Sequence, residues 1–399
     1  MESVVKRKIL IFSTAYHPFV GGAEIAIKEI TDRLKGDWEF DLITAQLQKD
    51  LPKTETKGSV TIYRIGIGNP MIDKLVLPFF GAILAYKLNK QKKYFCFWAM
   101  MATFGSGAAY LSNIFNFFAN TKRVPIVLSL QEGDSESHLK YRWGGMIALS
   151  WKLALRNTKI LTAISNFLLN RAKKNGFKGE SVLIPNGVDV VLFSKEISLE
   201  TKEKLKKDLG KKTEDIFLVT TGRLVHKNGV DSIISALAKL PTHISLVVIG
   251  KGPEGSRLQR QAHDLGLSGR VKFLGFIPYD ELPQYLSVCD IFIRPSRSEG
   301  FGNSFIEAMA AGLPVVATPV GGIPDFIDDK ETGFFCSPDN PQSIAQAVNM
   351  ILAETELTEK VVEQAFVRVK ERYSWDHVAL EMGRVFDTVI PLETAVARG

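Results

Sequence analysis

Cysteine is scarce in this sequence, which holds three of them, Cys96, Cys289 and Cys336, among 399 residues. They lie far apart and form no C-x-x-C pair, which argues against a disulfide framework and against a structural zinc site. Reduced thiols of this kind are typical of a cytoplasmic protein. The first apolar run is short and no small-residue cleavage site follows it, so we expect no cleavable signal.

Long uncharged runs are also rare, and one of them is long enough that a membrane-spanning segment has to be considered. No charged residue lies between Lys93 and Lys122, a length that could span a bilayer. However, Gly105-Ser106-Gly107 interrupts the run, and serine and asparagine residues follow it. We interpret residues 94–100 as a buried strand, followed by a glycine-rich turn and a helix; a membrane span is the alternative.

The charge is unevenly distributed between the two halves of the chain. The net charge is +7, made up of +11 over residues 1–192 and −4 over the rest. A basic half indicates an anionic partner such as phosphate, nucleic acid or a lipid surface, whereas the alternative is a solvated lysine face. Residues 71–93 combine apolar residues with a basic end from Lys87 to Lys93, which suits an amphipathic helix on an anionic bilayer or a packed domain helix.

Short apolar runs alternate with helical patterns along the whole chain. This alternation predicts parallel sheets, because parallel strands need crossover helices. A charged stretch over 196–214 precedes a second series of the same pattern. We therefore predict one α/β domain over 1–192 and a second over 193–375, with a terminal helix in 376–399 that packs back on the first. Ligands of such sheets bind beyond the carboxyl ends of the strands.

The strongest motif runs from Glu299 to Glu307, directly after the apolar run IFIRPS. Gly300 and Gly302 allow a tight loop, and Asn303 is a predicted N-cap for the helix that contains Ser304. Since helical side chains lean toward the amino terminus, we expect Glu307 to face the same space as Glu299. Two carboxylates beside an anion-binding helix end suit a ligand with both hydroxyls and phosphates.

Two weaker loops also follow predicted strands. The first, 221–229, places Arg223 and Lys227 where they could neutralise a diphosphate, or where they are ordinary surface cations. The second contains Gly21 and Gly22, whose missing side chains permit close approach of a phosphate, although a plain turn is as good an explanation. That loop is not G-x-G-x-x-G, which weakens a dinucleotide interpretation.

The order of the motifs is more specific than any one of them. GGAE, IPNGVD, GRLVHK and EGFGNSFIEAMAAGLPVVAT follow one another, with AISNF, VIGKGPE, FLGFIP and GGIPDFI among them. In this order the chain resembles the family-4 retaining glycosyltransferases over nearly its whole length. The resemblance implies the GT-B fold, an α/β architecture with two Rossmann-like, doubly wound parallel-sheet domains facing a central cleft.

The resemblance also implies a nucleoside-diphosphate sugar as the donor, bound mainly by the second domain, with no metal and no further cofactor. Glu307 resembles the residue that holds the ribose hydroxyls, and Glu299 the one that faces the donor sugar. Arg223 and a nearby lysine resemble the diphosphate clamp. The other donor-binding positions implied are Gly21 and Gly22 over the phosphates, backbone from Phe276 to Pro278 at the base, and the Gly302, Asn303 and Ser304 helix start.

Two positions depart from the family pattern. Gln131 stands where the family commonly has a histidine near the donor sugar, and glutamine can hydrogen-bond a hydroxyl but cannot titrate. Asn228 stands where the clamp lysine is common, and Lys227 comes one residue earlier. Catalytic roles are therefore expected for Glu299, Arg223, Lys227 and Gln131. We interpret the histidines His17, His138 and His226 as structural or acceptor-side residues.

We interpret the chain as a retaining, metal-independent glycosyltransferase that is cytoplasmic or peripheral on the inner face of a membrane. A glycan, glycolipid or lipid-linked precursor is the expected acceptor, an anionic membrane surface is a candidate partner, and nucleic acid is not expected. One alternative is a catalytically silent sugar-nucleotide-binding protein, favoured by Gln131 and Asn228. Another is a nicotinamide-dependent oxidoreductase, which the paired glutamates argue against.

Overall fold

The computed structural model describes residues 6–19, 21–131 and 146–389. The chain divides into two compact units. The first contains the described residues up to Asn186 together with Trp375–Val389, and the second is Gly187–Ser374. Each unit has its own hydrophobic core, built mainly from the buried faces of strands and the helices that cover them.

The first unit is built on a sheet of eight strands within the described residues, in the order β3-β4-β2-β1-β5-β6-β7-β8. The strands are β1 Arg7–Phe12, β2 Trp38–Ala45, β3 Thr54–Lys57, β4 Val60–Ile65, β5 Cys96–Met100, β6 Ile126–Leu130, β7 Ile160–Ala163 and β8 Glu180–Leu183. All neighbours are parallel except β3 and β4. The central strands read as continuous apolar runs because helices cover both faces of the sheet.

Helices connect these strands, and one from the end of the chain joins them. They are α1 Gly22–Leu34, α2 Pro70–Lys92, α3 Phe104–Phe118, α4 Met146–Asn157, α5 Asn166–Lys174 and α14 Trp375–Val389. Helix α14 packs beside α1, where Arg33 Nε donates to Asp376 Oδ1 at 2.6 Å. Its Phe386 ring lies 5.3 Å from that of Trp98 in the core. The last helix therefore belongs to the first unit.

The predicted glycine-rich turn after β5 is wrong, because Gly105, Ser106 and Gly107 form the first turn of α3. A Cβ at Gly105 would lie 3.2 Å from the backbone of Ser13, and one at Gly107 would lie 2.9 Å from Pro78. Glycine is used here so that α3 can approach β1 and α2 closely, and no tight turn is involved. Within the described residues, no helix combines the length and apolarity needed to cross a membrane.

The second unit is built on a parallel sheet of six described strands in the order β11-β10-β9-β12-β13-β14. The strands are β9 Ile216–Thr221, β10 Ile244–Ile249, β11 Val271–Gly275, β12 Ile291–Arg294, β13 Val315–Ala317 and β14 Phe334–Phe335. The helices are α6 Val190–Phe193, α7 Leu199–Leu209, α8 Val230–Leu237, α9 Gly255–Asp264, α10 Leu282–Leu286, α11 Asn303–Ala310, α12 Pro341–Ala353 and α13 Thr355–Arg372.

The boundary between the units falls at Asn186/Gly187, a few residues before the predicted division at 192/193. The short helix α6 lies in this interval, and the Phe193 ring packs edge-on against Tyr279 with centroids 5.2 Å apart. Val188 N–H also donates to the Tyr373 carbonyl at 2.8 Å. These contacts attach residues 187–193 to the second unit, and hydrophobic patterning does not reveal them.

Candidate functional site

The loops at the carboxyl ends of β9 and β10 touch each other through glycine. Gly250 has φ +141°, and a Cβ there would lie 1.9 Å from the Gly222 carbonyl oxygen. Gly222 N–H donates to the Ile249 carbonyl at 2.9 Å, and Leu224 N–H to the Lys251 carbonyl at 3.0 Å. This packing holds the loop that carries Arg223 in one conformation.

Gly250, Gly252 and Gly255 have the G-x-G-x-x-G spacing, which is absent from the loop at Gly21 and Gly22. The structure explains the first two glycines by close backbone packing, since a Cβ at Gly252 would lie 2.2 Å from the Leu224 carbonyl oxygen. A dinucleotide is therefore not needed to explain this spacing.

The side chains of Arg223 and Lys227 make no hydrogen bond or ion pair with the described residues. Arg223 is exposed directly after β9, and Lys227 lies in a short 3-10 turn over His226–Asn228. Arg297 N–H donates to the Lys227 carbonyl at 2.7 Å, and the Arg297 guanidinium forms a bidentate pair with Asp231. The turn is thus held by other residues, and its two cations remain available to an anion.

Glu299 is a buried residue whose carboxylate forms an ion pair, and it is not a solvent-exposed side chain. Its Oε2 accepts from Arg294 Nη2 at 2.7 Å, and its Oε1 accepts from Gly300 N–H at 3.1 Å. Arg294 also reaches Asn228 Oδ1 at 2.9 Å and Ser304 Oγ at 2.6 Å. The backbone of Glu299 is packed against Gly321, where a Cβ would lie 1.8 Å from its carbonyl oxygen.

Helix α11 begins one residue earlier than predicted. Gly302, with φ +100°, takes the N-cap position, and Asn303 is the first helical residue instead of the cap. A left-handed conformation favours glycine at this point, which explains why asparagine is displaced from the cap. No side chain caps the helix in the described part of the chain, so its positive dipole end faces the space beside Arg294 and Ser304.

Glu307 lies one turn into α11 and is partly buried. No hydrogen-bond donor to its carboxylate is present among the residues that the structure describes. Burial raises the pKa of Glu307 to about 7, and the nearby charge of Arg294 limits the rise. Arg294 is thus the ion-pair partner of Glu299, and its charge also acts on Glu307.

Phe276 follows β11 and is 68% exposed. The FIP segment after this strand therefore presents an uncovered ring to solvent beside its backbone. The Gly250 N–H donates to the Gly275 carbonyl at 2.6 Å, so the segment is tied to the loop after β10.

In the first unit, the start of α1 already holds a carboxylate of the chain itself. Gly21 is the N-cap of α1, and a Cβ there would lie 2.5 Å from Glu24 Oε2. Burial raises the pKa of Glu24, whereas backbone hydrogen bonds at Gly21 and Glu24 lower it. Gly22 is exposed beside this carboxylate.

Gln131 directly follows β6 and is paired with Asn186, the asparagine of the IPNGVD segment. Gln131 Nε2 donates to Asn186 Oδ1 at 3.0 Å, and Asn186 Nδ2 donates to Gln131 Oε1 at 3.1 Å. Asn186 is buried. The glutamine thus joins two segments of the first unit, a role that spacing in the sequence did not indicate. His138 lies outside the described residues, and the His17 carbonyl accepts a hydrogen bond from Arg64.

Sequence reasoning missed Arg294 and the role of Asn186. Arg294 is embedded in the apolar run IFIRPS, and a single charged residue within a predicted buried strand is the signal that could have revealed it. Among residues 6–19, 21–131 and 146–389, no group of three histidine, cysteine or carboxylate side chains could hold a metal ion.

Residues 201–368 match the family model described as glycosyl transferases group 1. An uncharacterized glycosyltransferase of Methanocaldococcus jannaschii is 28% identical over 95% of this chain and 97% of its own length. A GDP-mannose-dependent alpha-(1-6)-phosphatidylinositol monomannoside mannosyltransferase of Mycobacterium tuberculosis is 28% identical over 56% of this chain and 60% of its own.

Solved structures agree on the fold. Sucrose-phosphate synthase from Thermosynechococcus elongatus superposes with a TM-score of 0.81 at 20% identity, over 96% of this chain and 99% of that one. Anabaena HepE in complex with UDP and glucose gives a TM-score of 0.76 at 23% identity, over 96% and 100%. The two parallel-sheet units and these matches lead to one conclusion: the chain has the GT-B fold, and its residues 201–368 match the group 1 glycosyltransferases.

Proposed function

We propose that this protein is a retaining glycosyltransferase that moves a sugar from a nucleoside-diphosphate sugar to a hydroxyl acceptor without a metal ion. The observation that supports this most is that both cationic and carboxylate side chains lie in the loops near the start of α11. Arg223 and Lys227 are unpaired cations suited to a diphosphate, and Glu299 and Glu307 are carboxylates suited to sugar hydroxyls.

In this proposal, Glu307 accepts hydrogen bonds from the two ribose hydroxyls of the donor. Its carboxylate accepts no hydrogen bond from the described residues. Because the carboxylate is partly buried, hydrogen bonds from two bound hydroxyls stabilise it more than the same bonds would in bulk water. The backbone from Phe276 to Pro278 holds the base. Because HepE has been crystallised with UDP and with UDP-glucose, uracil is the first base to test.

The reaction then follows from where charge develops. The bond between the anomeric carbon and the diphosphate oxygen breaks, and the diphosphate gains negative charge that Arg223, Lys227 and the α11 amides stabilise. The acceptor oxygen bonds to the anomeric carbon from the same face, and its proton passes to an oxygen of the departing diphosphate. No nucleophilic carboxylate is needed, in contrast to a retaining glycosidase.

The acceptor is proposed to be a glycan or a lipid-linked molecule at an anionic membrane surface. Helices α2 and α3 of the first unit pack together, and both expose apolar side chains, which we call the α2–α3 face. Its exposed members are Met71, Ile72, Leu75, Phe79, Phe80 and Ile83 on α2, and Ile114, Phe115, Phe117 and Phe118 on α3. Ten exposed large apolar side chains on two neighbouring helices are a candidate binding surface.

Cations border the α2–α3 face. Lys90 Nζ lies 4.8 Å from the Tyr86 ring, and Arg123 lies 4.9 Å from the Phe117 ring. Aromatic rings beside lysine and arginine suit the interface of an anionic bilayer. Lys92 does not take part, because it turns inward to Asp41 at 2.7 Å. The predicted basic cluster from Lys87 to Lys93 therefore presents fewer cations to this face than its sequence indicates.

The donor assignment is tested by calorimetric titration of UDP, GDP, ADP and their sugar conjugates. We expect one nucleotide series to bind, with the sugar conjugate losing its affinity in Glu307→Gln. Glu363→Gln, an exposed glutamate on α13, is the matched control and keeps the wild-type affinity. If none of the series binds the wild type, the proposed function is wrong. Retention is tested by the anomeric configuration of the product in NMR spectra.

Membrane binding is tested by co-sedimentation with vesicles of phosphatidylcholine, with and without phosphatidylglycerol. We expect binding to the anionic vesicles, reduced by Phe79→Ser with Phe118→Ser and by Lys87→Gln with Lys90→Gln. Lys204→Gln with Lys207→Gln on α7 is the charge-matched control. Equal binding to both kinds of vesicle, or no effect of the α2–α3 variants, contradicts the proposal.

A further inference from the structure

Arg294 is the last residue of β12, and its side chain connects three segments of the second unit. Its Nη2 donates to Asn228 Oδ1 at 2.9 Å and to Glu299 Oε2 at 2.7 Å, and its Nη1 donates to Ser304 Oγ at 2.6 Å. Arg294 is 9% exposed. A guanidinium buried to this extent is rare unless a function or a charge partner requires it.

The hydrogen-bonding capacity of this guanidinium is not used up. Its Nε is buried without an acceptor. Gly222 is exposed, and Nη1 of Arg294 is the first atom that a side chain at 222 would meet, at 3.5 Å. The absence of a side chain at Gly222 leaves this side of the guanidinium uncovered. Arg294 can therefore accept a further anionic partner from the direction of the β9 loop.

The local charge favours such a partner. Arg223, Lys227 and Arg294 bring three positive charges to the loops after β9 and β12, and the uncapped start of α11 adds its dipole. Glu299 is the ion-paired counter-charge to Arg294, and the raised pKa of Glu307 weakens its contribution near neutral pH.

The neutral side chain of Asn228 is compatible with the positive charge of Arg294 beside it. Its Nδ2 donates to the Arg223 carbonyl at 2.6 Å while its Oδ1 accepts from Arg294, so a neutral amide joins the two arginines. A lysine at 228 would bring an ammonium group to the guanidinium in place of that acceptor. Repulsion would then displace one of them, because buried like charges are costly. A cation at 294 and a lysine at 228 exclude each other.

We propose that Arg294 binds the diphosphate of the donor and replaces the cation that Asn228 cannot supply. This inference rests on the proposed function, because it assigns a residue to the same donor site. Arg294 shares its guanidinium between Glu299 and a phosphate oxygen in the loaded site. Arg294 would thus act on the diphosphate from the end of β12, together with Arg223 and Lys227 on the β9 loop.

The test relocates that charge and measures binding of nucleoside diphosphate and nucleoside monophosphate by calorimetry. Arg294→Leu is expected to weaken the diphosphate about tenfold or more and the monophosphate much less, since the loss falls on the second phosphate. Asn228→Lys alone also weakens the diphosphate through repulsion. The double variant, Arg294→Leu with Asn228→Lys, regains most of the wild-type affinity because the pair of positions 228 and 294 again carries one cation.

Several outcomes would overturn the inference. If Arg294→Leu weakens both nucleotides equally, or if the double variant binds no better than Arg294→Leu, Arg294 does not bind the diphosphate. Arg294→Lys keeps the charge and serves as a second variant if Arg294→Leu does not fold, with retained diphosphate affinity expected. Wild type that binds no nucleoside diphosphate overturns the proposed function as well, whereas wild-type binding without rescue overturns this inference alone.

Discussion

The side-chain amides of Gln131 and Asn186 face each other and exchange two hydrogen bonds of 3.0 and 3.1 Å. The pair connects the end of β6 to the segment that follows β8. We predict that Gln131→Ala lowers the free energy of unfolding of the first unit by about 1–3 kcal/mol. The reason is that the buried side-chain amide of Asn186 loses both of its hydrogen bonds to Gln131.

The four tryptophans that the structure describes, Trp38, Trp98, Trp151 and Trp375, lie in the first unit. Tryptophan emission during urea unfolding therefore reports on that unit. Asn186→Ala should cost a similar amount, and the double variant should cost clearly less than the sum of the two. Strictly additive losses would contradict the pairing.

Glu307 should make the stability of the second unit depend on pH. Burial raises the pKa of Glu307 to about 7 from a reference of 4.5. Since the folded protein holds this proton more tightly than the unfolded chain, its contribution to stability falls as pH rises between these two values. Glu307→Gln keeps a neutral side chain and should lose that part of the slope. Melting temperatures of wild type and variant, compared at about pH 5 and pH 8, measure the difference.

The same titration should control donor affinity. The carboxylate form of Glu307 accepts hydroxyl hydrogen bonds, so affinity for a nucleoside-diphosphate sugar should rise as pH increases through about 7. A sugar conjugate is the right ligand because its doubly esterified diphosphate gains no proton in this range. Calorimetric titrations of Glu307→Gln should be weak and flat with pH. An equally steep pH dependence in that variant would assign the titration to another group.

Arg223 and Lys227 should contribute to ligand binding and little to stability. Neither side chain has a partner within the described part of the chain, so Arg223→Ala and Lys227→Ala should leave the melting temperature nearly unchanged. Each should weaken nucleoside-diphosphate binding by about tenfold, the value of one charge-assisted hydrogen bond. Lys239→Ala, an exposed lysine beyond α8, is the control with unchanged affinity. A loss of stability without a loss of affinity would show that these cations are structural.

Gly250→Ala should damage the site through the backbone. The new Cβ would lie 1.9 Å from the Gly222 carbonyl oxygen, and φ +141° is strained for alanine. We expect a stability loss of more than about 1 kcal/mol and weaker diphosphate binding, because the Arg223 loop must shift. Gly269→Ala is the matched control, since a Cβ there meets nothing within 4 Å. Unchanged melting and affinity in Gly250→Ala would show that the loops can separate freely.

The fold class and the positions of the motif residues in loops after strands could be predicted from local patterns. Apolar runs indicated β5, β9 and β12, because a strand covered on both faces needs such residues wherever it lies in a sheet. Glu299 and Glu307 could be predicted together, since eight positions separate them and a helix start lies between. The glycine-rich segment at 105–107 was misinterpreted because the same residues that permit a turn also permit close helix packing.

What the sequence determined by itself is the alternation of strands and helices, the placement of motif loops after strands, and the identity of the charged residues there. These depend on interactions between near neighbours. Only the tertiary structure decided that Arg294 pairs with Glu299 and Asn228, and that Gln131 pairs with Asn186. The register of parallel strands sets which side chains meet at a sheet edge, and that register joins residues 55 and 66 positions apart.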